Sequence, residues 1–342
     1  MQGDVFIIDS VIHMHDMQDD NIVGDEGRQT ANNLHRLSAL FSSPQFPLRK
    51  SFMGEAMDMA EAYKLLFADA ATDMAVAQAV PLLGWWKRGF APAEAQYRLK
   101  EAYPDRVLFC GGVDPIYQGL EGALEEMERQ VEEWGSVGFK FYQAHRKGLS
   151  WRADDRRLAY PLYERCLELG VTNVQFHKGA PFGTEHVEDL QPNDIQDAAA
   201  DFPELTFVIH HFGIPYVQET INIAHRFPNV WLALSAWINM YPIAPKECEH
   251  MLGKALMFVG ADRLMYGSEA FIWPNLQGYI DLFMEFEMPE ELQEGYGYPN
   301  PTMADKELIM GMNAARLFGV DVERKKRELS VTAPKPDVVG PQ

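Results

Sequence analysis

A closed α/β barrel of eight parallel strands, (β/α)8, is the fold class the sequence predicts, and three observations predict it. Short apolar runs alternate with stretches of helical spacing along most of the chain, and there are eight such runs. The same aromatic-proline punctuation, at Tyr103-Pro104, Phe202-Pro203 and Phe227-Pro228, ends a helix and opens a strand three times. Proline cannot extend the helix before it and biases its neighbour toward extended backbone, so the repeat has a mechanism. Alternating strands and helices build a parallel sheet, and a count of eight favours closure over an open doubly wound sheet. No Gly-x-Gly-x-x-Gly follows the first strand and no Walker-type loop is present, which weighs against a nucleotide-binding fold.

In order, the first strand is the run from Ile7 to Ile12, leading into His13-Met14-His15-Asp16. Residues 17–53 are polar and broken by Gly24, Gly27, Pro44 and Pro47, with one short helix expected over 29–41. A long excursion after a strand end suits a lid or a partner contact. Helical spacing over 54–71 then precedes a strand over 74–80. Helices over 92–103, 120–134 and 155–169 alternate with strands over 107–113, 137–141 and 171–176, with Gly170 closing the third helix. Three further strands, over 206–209, 230–234 and 263–266, follow helices over 194–201, 215–226 and 245–258. Helices over 276–286 and 303–318 complete the globular part. At 342 residues the chain fits one barrel domain over 1–325 with an insertion at about 17–53, and a Pro-containing tail over 326–342 is expected to be extended or mobile.

Composition narrows the function. Hydrophobic residues make up 47% of the chain, enough for a large core. Thirty Lys and Arg against fifty Asp and Glu give a net charge of -20, which argues against nucleic acid or an anionic membrane as partner. Cys110, Cys166 and Cys248 form no Cys-x-x-Cys pattern and are expected as buried, reduced thiols of a cytoplasmic protein. No secretory signal and no apolar run of membrane-spanning length is read.

Chemistry in such a barrel sits at the C-terminal ends of the strands. There the chain places His13 and His15 after the first strand, Lys140 in the fourth, His177 after the fifth, His210 and His211 after the sixth and Glu269 after the eighth. Side chains two apart on a strand share a face, so His13 and His15 are expected to converge, and neutral imidazole is a common ligand for zinc, iron and copper. Of the adjacent pair His210 and His211, an extended strand turns only one inward. Trp85, Trp86, Trp237 and Trp273 lie beyond strand ends and suit the floor of an aromatic pocket. Lys178, Arg146 and Arg152 are the nearest cations for a substrate carboxylate.

The set His-x-His, His after strand five, His211-Phe212-Gly213 after strand six and Gly267-Ser268-Glu269 after strand eight resembles the amidohydrolase superfamily. Within it, the chain resembles the branch that holds aminocarboxymuconate-semialdehyde decarboxylase and resorcylate-type decarboxylases. The segment from Met312 to Gly319 is similar to that branch's last helix, and the likeness covers about residues 4–320. It implies that His13, His15 and His177 bind a divalent metal, zinc or manganese, with Glu269 at the position of the family's aspartate. His211 then faces the metal-bound water or substrate, or ligates a second ion, and Lys140 stands where binuclear relatives place a carboxylated lysine. His211 and Glu269 are the implied proton-moving groups, and Trp237, Arg146 and Lys178 the substrate contacts.

The expected activity is a metal-dependent hydrolase or non-oxidative decarboxylase on a small carboxylated substrate, in a homo-oligomer. Two other readings are an oxygen-activating dinuclear iron or iron-manganese monooxygenase and a metal-binding subunit of a hetero-oligomer.

Overall fold

The computed structural model describes residues 5–146 and 148–332, apart from the side chains of 331 and 332. Eight parallel strands form in the expected order: β1 (Ile8–Ile12), β2 (Met74–Gln78), β3 (Val107–Cys110), β4 (Phe139–Phe141), β5 (Asn173–Phe176), β6 (Thr206–Ile209), β7 (Val230–Ala233) and β8 (Leu264–Met265). Regular pairing joins β1 to β3 in one run and β4 to β8 in another. Narrow seams complete the ring. At the first, Gly111 pairs with Phe139, the Gly111 amide donates to the Gly138 carbonyl at 2.9 Å, and the Lys140 amide donates to Gly111 at 2.8 Å. At the second, Ile12 pairs with Ala270 and the His13 amide donates to the Ala270 carbonyl at 2.8 Å. The barrel is therefore closed, as the strand count predicts.

Alternation along each strand divides its residues between two environments. Outward-facing Phe139, Phe141, Val174, Phe176, Phe207, Ile209, Val230 and Leu232 pack under the helices in the main core. The other parity fills the barrel: Ile8, Val76, Val208, Ala233 and Met265 make an apolar layer, closed from below by Ala314, Phe318, Val322 and Leu329. Above that layer the interior turns polar, with Gln78 donating to Gln175 at 3.0 Å and His210 to the same Gln175 oxygen at 2.7 Å. Lys140 belongs to this layer and is fully buried.

Several elements depart from the sequence expectation. The helix expected over 54–71 is reduced to Met59–Tyr63 and a wide turn over Lys64–Ala68. Residues before it are taken by the backbone of the first loop: the Met17 amide donates to Glu55, and Ala56 bridges Asp16. The helix expected over 29–41 starts earlier, at Gly24, and runs to Leu40. Gly27 does not break it; it allows close approach to the Trp85 carbonyl, which a Cβ there would meet at 2.6 Å. The tail expected from 326 continues instead as the helix Val322–Thr332, because Val322 and Leu329 find the apolar bottom of the barrel. Residues 333–342 of that expected tail lie outside the described residues. No described helix is long and apolar enough to cross a membrane.

The turn over Leu308–Met312 runs directly against β1. Ile309 accepts the Tyr266 amide at 2.8 Å, and a Cβ on Gly311 would lie 1.9 Å from the Phe6 carbonyl oxygen. Backbone cannot yield as a flexible side chain does, so Gly311→Ala is expected to cost about 2–3 kcal/mol. A denaturant titration checks this, and a midpoint within experimental error of wild type would refute it.

Candidate active site

The strand ends do not continue straight, and this decides which side chains meet. β1 stops at Ile12, and the His15 amide donates to the His13 carbonyl at 2.9 Å. A hydrogen bond between residues two apart is a tight γ-type turn, so the strand alternation ends before His15. His13 faces the barrel mouth, while His15 turns away: its ring lies edge-on to Phe52 at 5.0 Å and stacks on Phe90 at 5.9 Å, and its Nε2 faces Arg49 Nη1 at 3.4 Å. Arg49 is itself clamped by two bonds to Glu61, at 2.7 and 3.1 Å. His13 lines the cavity and His15 does not. Burial, then the Arg49 charge, hold His15 far below an ordinary imidazole, at about 3.

On strand six the expected choice between neighbours also fails. His211 takes φ +58°, which swings its ring back toward the barrel axis, so His210 and His211 both point inward. His210 lies in the polar layer on Gln175, and His211 lies one level higher.

Four predicted residues come together at the floor of a cavity of about 330 Å3: His13, His177, His211 and Glu269. Their hydrogen bonds assign the ring protons. His13 Nδ1 donates to the Gln78 carbonyl at 2.8 Å, which leaves the Nε2 lone pair facing Glu269 Oε1 at 3.6 Å. His177 Nε2 donates to the Ala180 carbonyl at 3.2 Å, so its Nδ1 accepts from His211 Nε2 at 2.9 Å, and His211 Nδ1 accepts from Ser235 at 3.2 Å. Burial first, and the neighbouring positive charges after it, hold His177, His210 and His211 well below the ordinary imidazole range. These three rings are neutral, the form that ligates metals.

Below the floor, Lys140 Nζ has no hydrogen-bond partner and sits 5.4 Å from the centre of the Tyr142 ring, and burial lowers it to about 7. It does not line the cavity. Asp9, fully buried, accepts from the Ser268 amide at 2.9 Å and ties the loop carrying Glu269 to β1; burial raises it to about 6. Neither Asp9 nor the Arg49 clamp is visible as a site residue in the sequence, because their partners lie far along the chain.

The fit to a divalent ion can be tested on the free atoms. His13 Nε2 and Glu269 Oε2 are buried without a partner at the cavity floor, and nitrogen with carboxylate oxygen is a donor set for zinc, manganese or iron. His177 and His211 spend their facing nitrogens on each other, and among the described residues no three His, Cys, Asp or Glu side chains stand as a closed cage. The donor chemistry fits, with one ring of the coupled pair exchanging its partner for the ion.

The walls are apolar. Leu34, Leu37, Ser38 and Phe41 come from the helix Gly24–Leu40 and the residue after it, opposite Phe90, Phe182, Ile214, Ile272 and Trp273. The spacing 34, 37, 38, 41 is one helix face, a signal present in the sequence of the excursion. Ala180, His211, Ala236 and Glu269, all lining the cavity, take positive φ, from +46° to +63°. Such backbone costs on the order of 1 kcal/mol per residue or more and clusters at functional sites.

The expected substrate contacts are placed elsewhere. Trp237 is fully buried against Phe283 and Phe286, with its indole donating to the Cys248 carbonyl at 2.9 Å. Lys178 is sealed against Asp194 at 2.7 Å, Arg146 lies 3.7 Å from Glu26, and Arg152 pairs with Asp154. Of the four tryptophans only Trp273 lines the cavity; Trp85 and Trp86 pack behind it. All three cysteines are free and buried.

Comparison with known proteins agrees with this architecture. The model of an amidohydrolase family matches residues 35–320. A TIM-barrel protein of Bordetella bronchiseptica is 22% identical, with a TM-score of 0.67 over 92% of this chain and 99% of that one. A dihydroxybenzoic acid decarboxylase of a Polaromonas species, solved with manganese and the inhibitor 2-nitroresorcinol, is 16% identical, with a TM-score of 0.57 over 93% of this chain and 98% of that one. The protein fluG of Emericella nidulans is 28% identical over 103 residues, which are 30% of this chain and 12% of that protein. At these identities the likeness to solved structures speaks to the fold.

Proposed function

The chain belongs to the amidohydrolase family, and from that premise we propose that it is a metal-dependent enzyme of the hydrolase and decarboxylase kind, acting on a small molecule held in the cavity above His13, His177, His211 and Glu269. The observation that carries this is the pair of free donors at the floor, His13 Nε2 and the Glu269 carboxylate, 3.6 Å apart.

His13, Glu269 and one ring of the His177–His211 pair would hold the ion. When bound there, a divalent ion lowers the pKa of a coordinated water toward ~7 and polarises a substrate carbonyl. The protein's own groups do the rest. The Gln78 carbonyl fixes the His13 tautomer so that its lone pair faces the floor, an arrangement that holds a ligand ring in orientation. The Glu269 oxygen without a partner is placed to accept a proton. His211 Nε2 carries a proton that the chain from Ser235 to His177 keeps aimed across the floor. Apolar walls exclude bulk water and strengthen each of these polar contacts.

Metal analysis of anaerobically purified protein tests the reading. About one zinc or manganese per chain is expected, with ester, lactone or decarboxylation activity lost on chelation and restored by the metal. About two redox-active ions with substrate-dependent oxygen uptake would replace it with the oxygenase reading.

A further inference from the structure

One donor in the cavity is left without an acceptor. Among the described residues, six side chains that line the cavity carry an N–H or O–H: His13, Ser38, Tyr142, His177, His211 and Trp273. Five of these are committed inside the protein. His13 donates to the Gln78 carbonyl, His177 to that of Ala180, His211 to His177, Ser38 to the Leu34 carbonyl at 2.8 Å and the Trp273 indole to the Ser38 carbonyl at 3.2 Å. The sixth, the Tyr142 hydroxyl, meets no acceptor among the described residues. It is not sealed in as the unpartnered hydroxyls of Tyr266 and Tyr279 are; Tyr142 keeps 6% of its surface open and lines the cavity.

Strand alternation puts it there. In Phe139-Lys140-Phe141 the lysine points into the barrel and the two phenylalanines out, so Tyr142, two residues past Lys140, returns to the inner side one layer higher. Its ring stacks on His177, with centroids 4.6 Å apart and 20° between the planes, and Lys140 Nζ lies 5.4 Å from its centre. These contacts fix the phenol at the level of the floor, within the field of the Glu269 carboxylate. A phenol so placed keeps its proton at neutral pH and donates.

Resting on the reading above for which end of the cavity reacts, we propose that Tyr142 is a catalytic residue: its hydroxyl donates to a carbonyl oxygen of the substrate, an aryl or alicyclic carbonyl compound whose ring lies against Phe41, Phe182 and Trp273. A donor held in place before the substrate arrives strengthens its bond as negative charge gathers on that oxygen. A molecule of the same shape without the oxygen would leave the hydroxyl unpaired, so the same contact selects the substrate.

The test uses acetophenone and α-methylstyrene, which match in shape and differ by a C=O against a C=CH2, on the full chain after chelation and again with manganese added. Tyr142→Phe removes the hydroxyl and keeps the ring on His177. It is expected to weaken acetophenone relative to α-methylstyrene by about tenfold in both states, the scale of one hydrogen bond left unmade. In infrared spectra of the chelated protein, the carbonyl stretch of acetophenone bound to the wild type should lie below its position in hexane, and Tyr142→Phe should return it toward that position. A wild-type stretch that matches hexane would overturn the proposal. So would a lowered stretch that Tyr142→Phe leaves unchanged, which would give the donor's place to His211. Failure of the metal reading shows separately, as a chain that retains no metal while the Tyr142-dependent shift persists.

Discussion

His13→Ala is expected to abolish stoichiometric metal and to lower turnover by about a thousandfold, whereas His15→Ala keeps the metal. The two residues look equivalent in the sequence, but only His13 lines the cavity, with Nε2 unpartnered, whereas His15 packs between Phe52 and Phe90 with Nε2 on Arg49. Loss of a ligand removes the Lewis acid and the water it activates, and an electrostatic contribution of that kind is worth ~10²–10³ in rate or more. His15→Ala empties a buried space between Phe52 and Phe90 and leaves the Arg49 guanidinium without that neighbour, so it should act on stability, by about 2 kcal/mol. Metal content of the two purified variants decides the matter. Equal loss of metal in both would mean that the turn after Ile12 opens to let His15 reach the floor.

Lys140→Met is expected to stabilise the metal-free protein, by up to about 5 kcal/mol at or below neutral pH. Lys140 is buried with no hydrogen-bond partner, only the Tyr142 ring 5.4 Å away, and its ammonium is lowered from 10.5 to about 7 by loss of water. A depressed lysine binds fewer protons folded than unfolded between those two values. Stability therefore rises as pH increases from about 7 toward 10.5, and below about 7 the full penalty remains. Holding an ammonium at about 7 in place of 10.5 corresponds to the stated ceiling of about 5 kcal/mol. The gain from methionine should shrink steadily across that window, as thermal melts of chelated protein at several pH values would show. A difference independent of pH would mean that the lysine is charged and solvated, or covalently modified, in the folded protein.

How much of this was legible in the sequence follows from the range of the interactions. Strand order and barrel closure were readable because alternation, apolar runs and aromatic-proline junctions are local. Three of the five helices from 92 to 226 keep their bounds within about two residues, whereas that over 54–71 dissolves because Met17 claims the Glu55 carbonyl. For the site, the ends of β1, β5, β6 and β8 supplied four residues that meet. The errors came where backbone leaves the extended path, at the turn after His13 and at His211 with φ +58°. They came also where a side chain found a distant partner, as Lys178 did in Asp194 and Trp237 in the Cys248 carbonyl. The apolar wall was present as the spacing of Leu34, Leu37, Ser38 and Phe41 within the helix expected over 29–41; only its earlier start, at Gly24, was hidden by the breaks at Gly24 and Gly27.

The seam between β8 and β1 sits at the heart of the cavity floor. His13 donates its amide across it to Ala270, and Glu269 donates its own back to Val11 at 3.1 Å. The two free donor atoms are thus carried by opposite ends of the polypeptide and held in register by a few backbone hydrogen bonds, with staves one to three on one side and four to eight on the other. Breathing of the ring along this stitch would pull His13 and Glu269 apart before any other part of the sheet frays. Occupancy of the floor should therefore act as a clasp on the whole barrel. Amide exchange at His13 and Glu269 would slow when the site fills, and the three-stave and five-stave segments, expected to exchange as separate blocks when it is empty, would merge into one cooperative unit.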